Sequence, residues 1–181
     1  MTSEQLSNAQ IIIATGLQAG ANAKQLLAAI EAALVESSLR NLSYGDRDSL
    51  GLFQQRPSQG WGSPSQILNP SYAAQAFFLG AGSNKGALAV SQSGTAGQLA
   101  QRVQRSAFPA RYDQRQSEAL SILNQSGVSD ATSGGVWDAS GGWDATARIE
   151  GDGAGEVIGL GAGAVIGITL GAVVLYLALS D

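Results

Sequence analysis

Between about residues 4 and 19, Leu6, Ile11, Ile12, Ile13 and Leu17 fall at mixed helical spacings. They predict a first helix that Gly16 and Gly20 weaken toward its end. Asn22 then stands as an N-cap before AKQLLAAIEAALVESSL, where Leu26, Leu27, Ile30, Leu34 and, less regularly, Val35 form one apolar face. This second helix is predicted to end near Leu39. The stretch RNLSYGDRDSLGLFQQRPSQGWGSP is rich in Gly, Asp, Ser and Pro and predicts loop with a small irregular hairpin. PSYAAQAFFLG, from Pro70 to about Gly80, predicts a helix opened by proline and closed by glycine, and two further helices are predicted over 94–106 and 110–124, separated by Pro109. The part of the chain up to residue 124 is therefore read as one mostly α domain.

From Gln125 the pattern fails. Residues 125–156 are poor in aliphatic side chains and rich in Gly, Ser and acids, the composition of a linker. Within it GGVWDAS and GGWDAT form a short imperfect repeat carrying Trp137 and Trp143. Two copies are too few for a repeat architecture, so the repeat is either linker decoration or a small interfacial aromatic element. Val157 to Ser180 then runs for 24 residues without a charge, enough as a helix to cross a hydrocarbon core of roughly 30 Å, and predicts a single C-terminal transmembrane helix. Gly155, Gly159, Gly163, Gly167 and Gly171 recur every four residues, a stripe along which two such helices could approach closely, so self-association in the lipid bilayer is expected.

Composition narrows the chemistry. The chain has no Cys and no His, which removes disulfides, thiolate nucleophiles, Ser-His-Asp triads and the usual zinc sites, and leaves carboxylates, hydroxyls and amides. Residues 1–124 carry nine Lys/Arg against seven Asp/Glu, whereas residues 125–156 carry one Arg against six acids. A balance that weak lacks the clustered cations needed to neutralise phosphates, so nucleic acid is not an expected ligand. The N-terminal MTSEQLSNAQ shows no basic region followed by an apolar run, so no secretory signal is read there.

The candidate acid is Glu36, in the last turn of the otherwise apolar second helix. A partly desolvated carboxyl has a raised pKa and can stay protonated near neutrality, as a general acid for a glycosidic oxygen must. ESSLRN, followed about ten residues on by SLGLFQQRP, resembles the ES-x-x-x-N and S-x-GL[MF]Q-x-x-P signature of the Slt-type lytic transglycosylases of the lysozyme-like superfamily. The likeness covers roughly residues 8–124. It is closer still to the lysozyme-like domains of actinobacterial cell-wall proteins, which share ESxLRNLxYGDRDSLGLFQQRPSQGWG nearly as it stands here. The resemblance implies a lysozyme-like α+β domain, Glu36 as catalytic acid and base, Ser37 behind it as an orienting residue, and Gly51, Leu52, Phe53 and Gln54 in the cleft segment. Where Slt-type enzymes carry a later Ala-Tyr-Asn motif, this chain reads AQRVQRSAFP. There Gln104 and Ser106 are candidates for the amide and hydroxyl that bind sugar, with a purely structural role for that helix equally open.

A glycosidase of the two-carboxylate type needs a second acid at a set separation, and Asp46 and Asp48 are the nearby candidates; the alternative for both is a loop-stabilising role or pairing with Arg40 or Arg47. Without them, Glu36 would protonate the leaving oxygen and then deprotonate the muramic C6 hydroxyl to close a 1,6-anhydro ring, the route the resemblance implies. Tyr44, Ser49, Phe53, Gln54, Gln55 and Trp61 are the expected substrate-binding residues, with Trp61 equally placed to be core. No metal or organic cofactor is implied. A wall-cleaving domain joined to a membrane segment also resembles the virion-associated transglycosylases of bacteriophages, notably of tectiviruses. That layout implies an enzyme in the virion membrane that opens the wall for genome entry. A membrane-anchored bacterial wall-remodelling protein, acting as a hydrolytic muramidase, is the alternative, as is a non-catalytic glycan-binding membrane protein.

Overall fold

The helices begin where side chains can answer the free amides of a first turn. In the computed structural model, which describes residues 1–126 and beyond them only the backbone of four short strands, α1 runs over Ser3–Gln18 behind a capping box made by Thr2 and Gln5. α2, Ala23–Ser37, repeats the device with Asn22 and Gln25. It closes in a left-handed turn through Ser38 and Leu39, with φ of 53° and 59°, where the Leu39 amide donates to the Ala33 carbonyl at 3.0 Å. Short α3, Pro64–Ile67, is capped by Ser63; α4, Pro70–Leu79, by Asn69; and α5, Ala96–Gln104, by Thr95. Two 3₁₀ turns, Pro109–Arg111 and Asp113–Arg115, lead into α6, Gln116–Gln125. These residues are mostly helical, as predicted.

α2 is the axis of the core. It packs against α1, α4, α5 and α6, and Leu26, Leu27, Ala28, Ala29, Ile30, Ala32 and Ala33 are all sealed from solvent. The sequence pattern predicts one apolar face, but α5 and α6 cover the opposite side too, and with it Glu31. The alanines make this possible, because small side chains let neighbouring helices close in from several directions. Gly16, read as a weak point of α1, is a packing contact: a Cβ there would lie 2.5 Å from both Leu26 Cδ2 and Phe78 Cζ. Phe77 extends the core by stacking on Phe53 at 4.8 Å and meeting Phe78 edge-on at 5.5 Å.

The predicted irregular hairpin in the Gly-rich loop reduces to one bridge, in which Leu50 and Gln55 exchange backbone hydrogen bonds of 3.0 Å. The true hairpin of this domain comes later, where β1, Gly80–Ala81, pairs antiparallel with β2, Asn84–Lys85. Beyond residue 126, β3 (Val136–Trp137) pairs with β4 (Trp143–Asp144), setting Trp137 opposite Trp143. β5 (Ile168–Leu170) pairs with β6 (Val173–Leu175), so those six residues of the predicted span are extended. The rest of the span 157–180 and all five glycines of the proposed stripe lie outside the described residues. Among the described residues, no helix is long and apolar enough to cross a membrane.

Candidate active site around Glu36

Glu36 occupies the last turn of α2, half-buried, two residues before the chain turns left-handed at Ser38. Three other residues, from two parts of the chain, meet it there. Tyr112, wholly buried at the end of the first 3₁₀ turn, donates its phenol hydrogen to Glu36 Oε1 at 2.6 Å. The Gln104 amide, at the end of α5, lies beside the carboxylate and donates to the Phe53 carbonyl at 2.8 Å, tying α5 to the loop that follows α2. Arg111 brings a positive charge near, with its guanidinium 5.4 Å from the exposed Phe108 ring.

Burial pushes the Glu36 carboxyl pKa up. The Tyr112 hydrogen bond, the Gln104 amide and the Arg111 charge each pull it back down, and burial prevails. The result is a carboxyl that keeps its proton to higher pH than an ordinary glutamate and whose ionised form is still accommodated by two donors. Such a group can give a proton and take one back. Tyr112 is pushed well above the ordinary phenol range, first by its burial and then by the charge and hydrogen bond of Glu36. It therefore serves as a fixed donor, not as a base.

The remaining residues predicted for the site divide into those that shape it and those that leave it. Ser37 is buried, its Oγ within hydrogen-bond reach of the Ala33 and Leu52 carbonyls at 3.1 and 2.8 Å, so it orients the loop against the helix end and does not face a ligand. Gly51 has φ of 75°, and a Cβ there would meet the Ile67 carbonyl oxygen at 2.6 Å, which explains glycine at that turn. Gln54 bends back so that Nε2 reaches the carbonyls of Tyr44 and Gly51, both at 3.3 Å, and is half-buried. Tyr44 leaves its ring on the surface.

Several expectations need correction. Phe53, expected to stack on sugar, is sealed in the core against Phe77, because an aromatic ring beside α4 gains more from packing than from a polar cleft. Gln55 is likewise buried, its Nε2 donating to the Ala73 carbonyl at 3.2 Å. Trp61 belongs to the core, and Ser49 is buried as well. Asp48, one candidate second carboxylate, is bound to Arg56 Nε at 2.6 Å and to the Ser58 amide at 2.8 Å, a clamp across the loop that holds its carboxyl well below the usual range. The other candidate, Asp46, points into solvent, 4.0 Å from Arg47 Nε. Ser106 Oγ accepts from the Phe108 amide at 3.1 Å and lies beside the Tyr112 phenol, so its hydroxyl stands next to the donor that reaches Glu36.

Sequence reasoning missed two residues. Tyr112 carries no local signal: it sits in irregular chain after Pro109, and its partner is 76 positions away. Glu31 lies one and a half turns before Glu36 on the same helix and is completely buried, with neither carboxyl oxygen bonded among the described residues. An open hollow of about 380 Å³ between α1 and α4, lined by Thr15, Gln18, Asn69, Tyr72 and Gln75, does not include Glu36 among its walls. The described residues hold no cluster of three or more metal-ligating acids. Compared with known proteins, the chain matches no family model and no curated sequence at a significant level.

Proposed function

We propose that this protein is a peptidoglycan lytic transglycosylase that cleaves the β-1,4 bond between N-acetylmuramic acid and N-acetylglucosamine. Glu36 is its only acid–base group. The observation that carries the reading is the half-buried Glu36 carboxyl with Tyr112 and Gln104 as donors beside it. In the first step protonated Glu36 gives its hydrogen to the glycosidic oxygen as the C1–O bond breaks. In the second, the Glu36 carboxylate takes the hydrogen of the muramic C6 hydroxyl, whose oxygen closes on C1 to form the 1,6-anhydro ring. No water is consumed and Glu36 ends protonated, ready for the next bond.

A single-carboxylate route is favoured over two-carboxylate hydrolysis because both aspartates have other settings: Asp48 is clamped to Arg56 and Ser58, and Asp46 is on the open surface. The charge acting on Glu36 is that of Arg111. Tyr44 and Phe108, exposed aromatic rings on the loops that follow α2 and α5, are the surfaces offered to sugar rings. In keeping with its lysozyme-like sequence signature, the domain acts on glycan strands while the apolar segment 157–180 attaches it to a membrane, with copies associating along the glycine stripe. The proposed setting is a phage particle that opens the wall locally for genome entry. Particle fractionation against uninfected cells distinguishes that setting from a bacterial wall-remodelling role.

The test uses the full chain, solubilised in detergent, on purified peptidoglycan. Glu36→Gln should lower clearing by on the order of a hundredfold or more, the loss expected on removing a general acid. Released fragments should carry anhydro-muramic ends, one water lighter than hydrolysed ends. Hydrolysed ends would make the protein a muramidase, equal clearing by Glu36→Gln and the wild type would remove Glu36 from the chemistry, and no clearing by either would leave only glycan binding.

A further inference from the structure

Glu31 is fully buried in α2, and both of its carboxyl oxygens lack a hydrogen-bond partner among the described residues. A buried, unbonded polar group costs on the order of 1–3 kcal/mol and more when charged, so a retained one calls for a physical reason. The charge that acts on it is that of Asp113, in the second 3₁₀ turn. Asp113 in turn lies over the first turn of α5: a Cβ added at Gly97 would come 2.5 Å from Asp113 Oδ1. Burial disfavours charge on Glu31, so Glu31 keeps its proton in the folded chain.

Asp113 directly follows Tyr112. Two consecutive residues of one short segment packed on α2 thus act on two acids of that helix, Tyr112 by its hydrogen bond to Glu36 and Asp113 by its charge on Glu31. We infer that Glu31 is a positioning residue for the Glu36 site: as a neutral acid it lets the Tyr112–Asp113 segment seat against α2, and its ionisation unseats that segment and draws the Tyr112 phenol away from Glu36. The consequence for catalysis rests on the enzymatic reading above; the seating itself rests on packing alone.

The other charged groups on elements packed against α2 are engaged elsewhere. Glu4 of α1 accepts from the Asn41 amide at 3.3 Å. Arg102 of α5 donates to the Ser93 carbonyl at 2.9 Å. Arg115 pairs with Glu118 of α6 at 2.8 Å while its Nε is buried without a partner, and α4 bears no charge. On α2 itself, Lys24 donates to the Gln92 carbonyl at 2.9 Å. Burial first, and then the Asp113 charge, push Glu31 up to about 8. Above that pH a charge on the fully buried Glu31 meets that of the half-buried Asp113, and repulsion is stronger there than between exposed groups.

The experiment follows the Tyr112 ring by NMR in the full chain in detergent, with ¹³C-labelled tyrosine and the signal assigned by its loss in Tyr112→Phe. Because Tyr112 itself ionises well above this range, a change between pH 6 and 9 reports its surroundings. In the wild type the signal should show a transition with a midpoint near pH 8; in Glu31→Gln that transition should be absent while clearing at pH 6 persists; in Glu36→Gln, where the direct partner of Tyr112 no longer titrates, it should remain; and in Asp113→Asn its midpoint should move to lower pH. A wild-type signal that does not move, or one that moves identically in Glu31→Gln, overturns the inference. If Glu31→Gln does not fold, Gly97→Ala serves: by pressing on Asp113 it should give the alkaline signal already at pH 6, and a wild-type signal there overturns the inference. Should the ring respond as expected while no form clears peptidoglycan, the seating stands and the enzymatic reading falls.

Discussion

The Tyr112 hydroxyl and Glu36 Oε1 are 2.6 Å apart, a hydrogen bond joining residues 76 positions apart in the chain and closing the candidate site from the far side of the domain. The bond selects for the ionised form of Glu36, while burial selects against it, and the site's capacity to act as both acid and base comes from that opposition.

Tyr112→Phe removes the donor and leaves the ring. The Glu36 carboxyl pKa should rise further, moving the alkaline limb of the clearing profile to higher pH. The ring-closing step, which needs the carboxylate, should slow by roughly ten- to a hundredfold, as loss of a hydrogen bond to a charged group worth about 1.5–3 kcal/mol implies. Clearing measured from pH 5 to 9 checks both; an unmoved limb would show that the phenol does not act on Glu36.

Asp48→Asn breaks the clamp to Arg56 and Ser58. The folded chain holds this carboxyl below its ordinary range, so its contribution to stability is full above the unfolded pKa and fades as pH falls through the folded one. The variant should melt at a lower temperature than the wild type at pH 7, and the gap should narrow in strong acid. Clearing should persist. A loss near a hundredfold, the scale of a lost general base, would instead return Asp48 to the chemistry.

Glu31→Gln should change stability with the opposite pH dependence. The unfolded chain gives up the Glu31 proton near the ordinary 4.5, whereas the folded chain keeps it to about 8. The folded state therefore binds more protons across that window, and wild-type stability falls as pH rises through it. The amide lacks this slope. Urea melts should show the variant gaining on the wild type by on the order of a few kcal/mol between pH 5 and pH 8. Parallel curves would mean that Glu31 is not held neutral by the fold.

Gly16→Ala would raise helix propensity in isolation by up to about 1 kcal/mol. In the folded chain the new methyl would press on Leu26 and Phe78 at 2.5 Å. Overpacking of that kind costs about 1–3 kcal/mol, so a net loss of stability is expected, read from the urea midpoint. A gain would mean that α1 can shift away from α4 at little cost.

Much of the frame was readable from local rules. Asn22 as a cap, the apolar spacing of α2 and Pro70 at the start of α4 act within a few residues, and those helices stand where the signals put them; the helix expected over 110–124 begins only at Gln116, because the chain after Pro109 first makes two 3₁₀ turns. Glu36 was legible through its company and not its helix position alone: an acid at the end of an apolar helix is common, and the resemblance of ESSLRN and SLGLFQQRP to the Slt-type signature singled it out. The fate of Phe53, Gln55 and Trp61 was not. An aromatic or amide in a Gly-rich loop reads alike whether it faces a sugar or the core, and only the placement of α4 beneath that loop buries them.

What the sequence by itself determined, then, was where helices begin and end, and that one carboxyl sits where the core meets water. Tertiary structure alone decided that α2 is enclosed on nearly all sides, that Glu31 is shut in with it, that Asp48 closes a loop, and that Tyr112 reaches Glu36. The division has a physical cause. Periodicity and capping depend on neighbours three or four residues apart, whereas burial and hydrogen-bond partnership depend on which distant segments pack together.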